Sequence, residues 1–170
     1  MKRIMIIGCS GSGKSTLARR LHELTKLPLF HTDHIQWKEG WVLQERGVIQ
    51  TRAREIAEYP SWIFEGAAGS TIDIRIAQAD TLVVLDLPVY VCLFRVLKRI
   101  IRTHGETRED MAPGCPERFD WGFLKWIYHY RQTHRPRDLS LLQNAPEGVT
   151  KYHFKDQKSV DHFLSELTKK

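Results

Sequence analysis

Residues 8–15 read GCSGSGKS. Gly8, Gly13, Lys14 and Ser15 occupy the fixed places of G-x-x-x-x-G-K-S/T, and the chemistry this spacing serves is the gripping of a polyphosphate. Glycines let the main chain turn tightly and aim its N–H groups inward, as a nest for an anion. The ammonium group of Lys14 reaches the β- and γ-phosphates of a nucleoside triphosphate, and the Ser15 hydroxyl binds Mg²⁺. A helix that begins where the loop ends adds the positive end of its dipole. Gly8, Ser10, Gly11, Ser12, Gly13, Lys14, Ser15 and Thr16 therefore form the expected nucleotide-binding set. Cys9 and Ser12 are fillers whose backbone matters more than their side chains. The alternative is a Gly/Ser turn with no ligand, and the flanking sequence weighs against it.

A phosphate loop needs a strand before it and a helix after it. Residues 3–7, RIMII, are a continuous apolar run, and Leu17, Leu21 and Leu24 recur at i, i+4, i+7 in the segment that follows. Further strands are expected at 28–31, 62–66, 81–88 and 149–154, and helices at 44–58, 70–79 (capped by Ser70), 89–102, 121–134 and 158–168. The run at 81–88, TLVVLDLP, is apolar without alternation, as in a parallel strand buried on both faces. Strand and helix alternate throughout, which predicts an α/β sandwich with a mainly parallel sheet. Residues 103–120 break the pattern. Rich in charge, proline and glycine and without an apolar stripe, they read as a mobile surface insertion whose length points to a functional loop.

The chain has 170 residues, 42% of them hydrophobic and 27% charged, which suits one globular domain over 1–170. No uncharged apolar run approaches the ~20 residues of a membrane span, so no membrane partner is expected. Three scattered cysteines and no CxxC suit a reducing compartment, and a cytoplasmic location is the expectation. The formal net charge is +6, and between Arg95 and Arg137 ten Lys or Arg stand against five Asp or Glu. That excess reads either as a solvated basic face or as a surface for phosphates or nucleic acid. Trp37 and Trp41, in a polar stretch near Asp33, either wall an acceptor pocket or cover the edge of the core.

GCSGSGKSTLARRL, HTDHIQWKEGW, WIFEG, TxDxR and LDLP with an arginine-rich helix after it resemble the P-loop small-molecule kinases, the relatives of adenylate, shikimate and gluconate kinases. The resemblance extends to the adenylate-kinase-like group called DNA topology modulation proteins. It covers most of residues 3–131. It implies a three-layer P-loop NTPase sandwich with a five-stranded parallel sheet, order 2-3-1-4-5, and a lid at about 103–120. FHTD at 30–33 is similar to the F-x-D-x-D of shikimate kinases, with His31 in place of the first Asp and Asp33 on the second. Asp33 is carried over as the group that holds the acceptor hydroxyl, whose proton it could accept, or Mg²⁺, against an N-cap or turn role. Glu65 stands where relatives carry the Asp of Asp-Gly-Asn-Tyr, and is assigned to the metal with Ser15. Asp86 is the competing carboxylate, read as structural. Arg75 resembles the arginine that clamps the acceptor, against a surface ion pair with Asp73 or Asp80. Arg99 and Arg108 resemble the lid arginines that neutralise charge in phosphoryl transfer. The resemblance thus implies ATP and Mg²⁺, with Lys14, Asp33, Arg99 and Arg108 in catalysis and Asp33, Trp37 and Arg75 on the substrate. The expected activity is transfer of the ATP γ-phosphoryl to a small anionic acceptor, nucleotide-like or another metabolite. The rival is a nucleic-acid-associated ATPase or regulator that uses the basic 95–137 face.

Overall fold

The computed structural model describes residues 1–169. In chain order it contains β1 (Arg3–Gly8), α1 (Lys14–Thr25), β2 (Leu29–His31), α2 (Thr32–Gln36), β3 (Trp37–Lys38), β4 (Val42–Leu43), α3 (Arg46–Ala57) and β5 (Trp62–Glu65). These are followed by α4 (Ile72–Gln78), β6 (Thr81–Leu85), α5 (Val89–Thr103), α6 (Trp121–Thr133), α7 (Arg135–Asn144), β7 (Thr150–Phe154) and α8 (Gln157–Thr168). The main sheet runs β2-β5-β1-β6-β7, every pair parallel. Counted within that sheet alone, its strands stand in the order 2-3-1-4-5.

β1 is central because it is apolar on both faces. Ile4 and Ile6 pack with Leu17, Leu21, Val96, Ile127 and Phe163 from α1, α5, α6 and α8. Met5 and Ile7 turn the other way, onto Ile49 of α3, Ile72 and Ile76 of α4, and Leu141 of α7. Two helical layers thus enclose one sheet, the arrangement that continuous rather than alternating apolarity implies. The register Ile4↔Ile63 and Ile4↔Thr81 sets the phosphate-loop strand between β5 and β6, so the C-terminal ends of β1 and β5 open onto the same crevice.

The structure differs from the sequence expectations in four places. Thr32–Gln36 is a short helix rather than a polar loop, and β3 and β4 form an antiparallel ribbon after it. A 3-10 turn at Gly69–Thr71 precedes α4, so Ser70 does not cap that helix. α7 starts afresh after α6, with Pro136 in its first turn, where a missing N–H costs nothing. Finally, 104–120 is not a detached insertion. Met111, Ala112 and Cys115 are buried against Trp37 and Trp41. The Gly40 N–H donates to the Gly114 carbonyl (2.8 Å) and the Trp41 Nε1–H to the Pro116 carbonyl (3.0 Å). Three small apolar residues whose partners lie some 70 positions upstream leave no periodic trace in their own segment. Among the described residues no helix is long and apolar enough to cross a membrane.

Candidate functional site

A cleft of about 1390 Å³ opens above β1 and β5, lined on one side by Ser10–Thr16. The Ser12 N–H bonds the Cys9 carbonyl (3.2 Å), and Leu17 N–H bonds Gly13 to start α1. The other amides from Ser10 to Thr16 have no main-chain acceptor among the described residues, as a nest for an anion requires. Gly11 (φ +79°) and Gly13 (φ +99°) make the turn possible. Gly11 also lies against the Cys92 carbonyl of α5, in space a Cβ would need. Lys14 is buried and folds back to donate Nζ–H to the Cys9 carbonyl at 2.9 Å. Cys9 itself sits under the loop beside Cys92, whose hydrogen bond, with burial, raises the Cys9 thiol pKa and leaves it unreactive.

The opposite wall is built from side chains. The Ser15 hydroxyl donates to Glu65 Oε1 (3.0 Å), and Glu65, buried at the end of β5, also pairs with His31 Nδ1 at 2.6 Å. Asp110 faces the same hydroxyl. Burial opposes ionisation of Asp110, but the Arg108 guanidinium and the Ser15 hydroxyl outweigh it and hold its pKa below the ordinary value. Ser15, Glu65 and Asp110 are hard oxygen donors of the kind Mg²⁺ takes. No three His, Cys, Asp or Glu side chains cluster as a cation cage among the described residues. Asp86 is occupied elsewhere: Arg135 grips it bidentately (2.6 and 2.8 Å) and His153 at 3.0 Å.

Asp33, on α2, projects into the recess between these groups. Burial and the neighbouring Glu65 charge push its pKa up to about 6, against the pull of Lys14 and Arg108. A carboxyl poised there can take a proton near neutral pH. Trp37 and Trp41 line the cleft and also pack on Met111, Ala112 and Cys115 of the 104–120 segment.

Arg99 and Arg108 enter from α5 and the 104–120 segment and converge on buried Glu117. Arg99 reaches it through Nη2 (3.0 Å) and Nε (3.0 Å), and Arg108 through Nε (3.0 Å). Arg108 Nη1 also bonds both Asp110 oxygens at 2.9 Å. Glu117 and Asp110 were not anticipated from the sequence, because charge in a loop normally marks solvent. Arg95, on the same helix as Arg99, donates to the Ser12 carbonyl at 3.3 Å.

Arg75 departs from expectation. It is fully buried and does not line the cleft. Its guanidinium donates to the carbonyls of Phe64 (3.4 Å) and Gly66 (3.2 Å) and lies over the Phe64 ring. Burial lowers its pKa to about 10, so it remains a cation at neutral pH. It props the turn after β5 instead of clamping an acceptor. Neither Asp73 nor Asp80 pairs with it.

Comparison with known proteins bears on the fold. Residues 1–45 match the PduV-EutP family model, described as ethanolamine utilisation - propanediol utilisation. That span holds β1, the phosphate loop, α1, β2 and the ribbon. No curated protein matches the chain in sequence. Among solved structures, shikimate kinase from Acinetobacter baumannii in complex with shikimate superposes with a TM-score of 0.57 at 18% identity, over 98% of this chain and 90% of that one. Shikimate kinase from Bacteroides thetaiotaomicron gives 0.60 at 16% identity, over 99% and 96%. A gluconokinase from Sinorhizobium meliloti 1021 gives 0.53 at 17%, over 99% and 94%. The chain has the same fold as these kinases. The sheet order and the place of the phosphate loop are those the sequence resemblance implied.

Proposed function

We propose that the protein is an ATP- and Mg²⁺-dependent kinase of a small hydroxylated molecule. The observation that carries this is the Ser15 hydroxyl, bonded to Glu65 and facing Asp110, at the end of a loop of free amides and across one cleft from Asp33. The loop amides and Lys14 hold the triphosphate, with Ser10, Gly11, Ser12, Gly13 and Thr16 completing the cradle around Gly8. Ser15, Glu65 and Asp110 would hold Mg²⁺ through their oxygen atoms. When bound, Mg²⁺ would supply charge neutralisation on the β- and γ-phosphates. Asp33 orients the acceptor hydroxyl and accepts its proton as the hydroxyl oxygen attacks the γ-phosphorus and the ADP oxygen departs. Arg99 and Arg108 stabilise charge on the transferred group, and Glu117 holds the two guanidinia side by side. The 104–120 segment acts as the lid that keeps water from the phosphoryl group.

The acceptor side bears Asp33, Glu65 and Asp110, while Arg75 lies in the interior and Arg108 is paired. The ground for an anionic acceptor is therefore weaker than the sequence suggested, and an uncharged polyol-like acceptor fits better. The nucleic-acid reading keeps only part of its basic face, because Lys98, Arg102, Lys125 and Arg131 stay exposed on α5 and α6 while the other cations of 95–137 are engaged elsewhere. Arg95, Arg99, Arg108 and Arg118 turn into the cleft, and Arg135 and Arg137 pair with Asp86 and Asp138. A coupled ADP-release assay with Mg²⁺-ATP against uncharged, anionic and cationic hydroxylated metabolites tests the proposal. Saturable ADP release that depends on one uncharged acceptor is expected. ATP hydrolysis stimulated only by nucleic acid, or no ATP binding at all, would overturn it.

A further inference from the structure

α5 carries a second apolar face that the cleft does not use. Tyr90, Phe94, Leu97 and Ile101 are 74%, 66%, 39% and 81% exposed, while Cys92, Val96 and Ile100 on the same helix are buried in the core. The exposed four are spaced 4-3-4, the a/d interval at which the side chains of one helix interlock with those of another. α6 packs beside α5 and exposes Trp121 (75%) and Tyr128 (62%). Aromatic side chains carry about 150–250 Å² each, so these four aromatics alone offer roughly 400–700 Å² to solvent. That already matches or exceeds the largest apolar patch of a typical monomer, about 300–600 Å². With Leu97 and Ile101 it approaches the ~800 Å² that each partner contributes to a standard stable interface.

We propose that this face joins two copies of the chain in an isologous dimer, with α5 crossing α5 of the partner antiparallel. The 4-3-4 seam complements itself, as a two-fold interface requires. The direction follows from charge: α5 and α6 contain no acidic residue, and Lys98 and Arg102 flank the seam toward the C-terminal end of α5. A parallel pair aligns these cations, whereas an antiparallel pair sends them to opposite ends and opposes the helix dipoles. This inference stands apart from the proposed kinase activity.

Light scattering coupled to gel filtration at about 100 μM tests it. The wild-type chain is expected at twice its 19.9 kDa mass, and a Phe94→Glu/Ile101→Glu variant at 19.9 kDa. Both positions are exposed, and an unchanged circular-dichroism melt shows that the variant is folded. As a second measurement, Leu97→Cys should oxidise to a covalent dimer, while Tyr59→Cys, exposed on another face, should not. A monomeric wild type overturns the proposal, whether or not it binds anionic lipid vesicles or an oligonucleotide. So does a dimer that survives the double substitution.

Discussion

The two walls of the cleft are made in opposite ways. The proposed phosphate wall is a run of seven residues, Ser10–Thr16, that presents mainly main-chain N–H groups, with the side chains of Lys14 and Ser15 added. The proposed acceptor wall is assembled from α2, the β3–β4 ribbon, the end of β5 and the 104–120 segment, and it presents side chains to the cleft. One glycine on each wall shows the contrast. Gly11 (φ +79°) is fixed by a close approach to the Cys92 main chain, a constraint written into a local motif. Gly114 (φ +74°) is fixed by the side chain of Glu39, 75 residues away. A wall made of backbone is contiguous in sequence, and a wall made of side chains need not be.

The largest expected effects separate the walls by what they disable. Asp33→Asn should lower kcat by about 10²–10⁴-fold, the usual worth of a positioned general base, with ATP affinity unchanged. The same substitution has a signature in stability without metal or nucleotide. The folded-state pKa of Asp33, about 6, lies above the unfolded value of about 3.9, so the folded state holds the proton more tightly. Stability from this group is fully present below about pH 4 and is lost as pH rises through 6. In EDTA, Asp33→Asn should therefore melt higher than wild type at pH 7–8 and lose part of the wild-type fall in Tm between pH 4 and 6. A flat wild-type profile there would place Asp33 in solvent and remove it from the recess. Lys14→Ala should produce the converse. ATP affinity should fall about 30–1000-fold, as loss of charge-assisted bonds worth roughly 2–4 kcal/mol implies, with Tm little changed. Calorimetric titration with a non-hydrolysable ATP analogue reads this directly.

How much of each wall was legible follows from the same contrast. The sheet, its order and the phosphate loop could be read because apolar runs and a short motif are local signals. Glu65, Arg99 and Arg108 could be singled out by type and place, yet their partners could not. Nothing in HTDH says that His31 will pair with Glu65, and nothing in the 104–120 composition says that Glu117 will be buried between two arginines. Arg75 was misread for a related reason. TxDxR has the right spacing for a clamp, but Arg75 lies on the face of α4 that turns inward, with Ile72 and Ile76. A sequence gives the helical phase, and only packing decides which way a long cation on the inner face extends. Arg75→Ala is the test: it should cost about 2–4 kcal/mol, because the Gly66 and Phe64 carbonyls lose their buried partner. If it instead raised the acceptor KM at unchanged Tm, Arg75 would belong to the acceptor wall after all.

The smallest effect probes the joint between the ribbon and the lid. Trp41 takes φ +63°, uncommon for a bulky residue, while its indole N–H reaches the Pro116 carbonyl and its ring packs with Trp37 on Met111 and Cys115. Trp41→Phe keeps most of the ring and removes the donor, leaving a partly buried carbonyl without its bond. A loss of about 1 kcal/mol follows, or roughly 2–4 °C in Tm for a chain of this length. If the ribbon and lid close on the acceptor as one body, the acceptor KM should rise several-fold while the KM for ATP stays put. Equal changes in both would mean that the satellite cluster of Trp37, Trp41, Met111, Ala112 and Cys115 braces the phosphate wall as well. The two walls would then be mechanically one, however differently they are built.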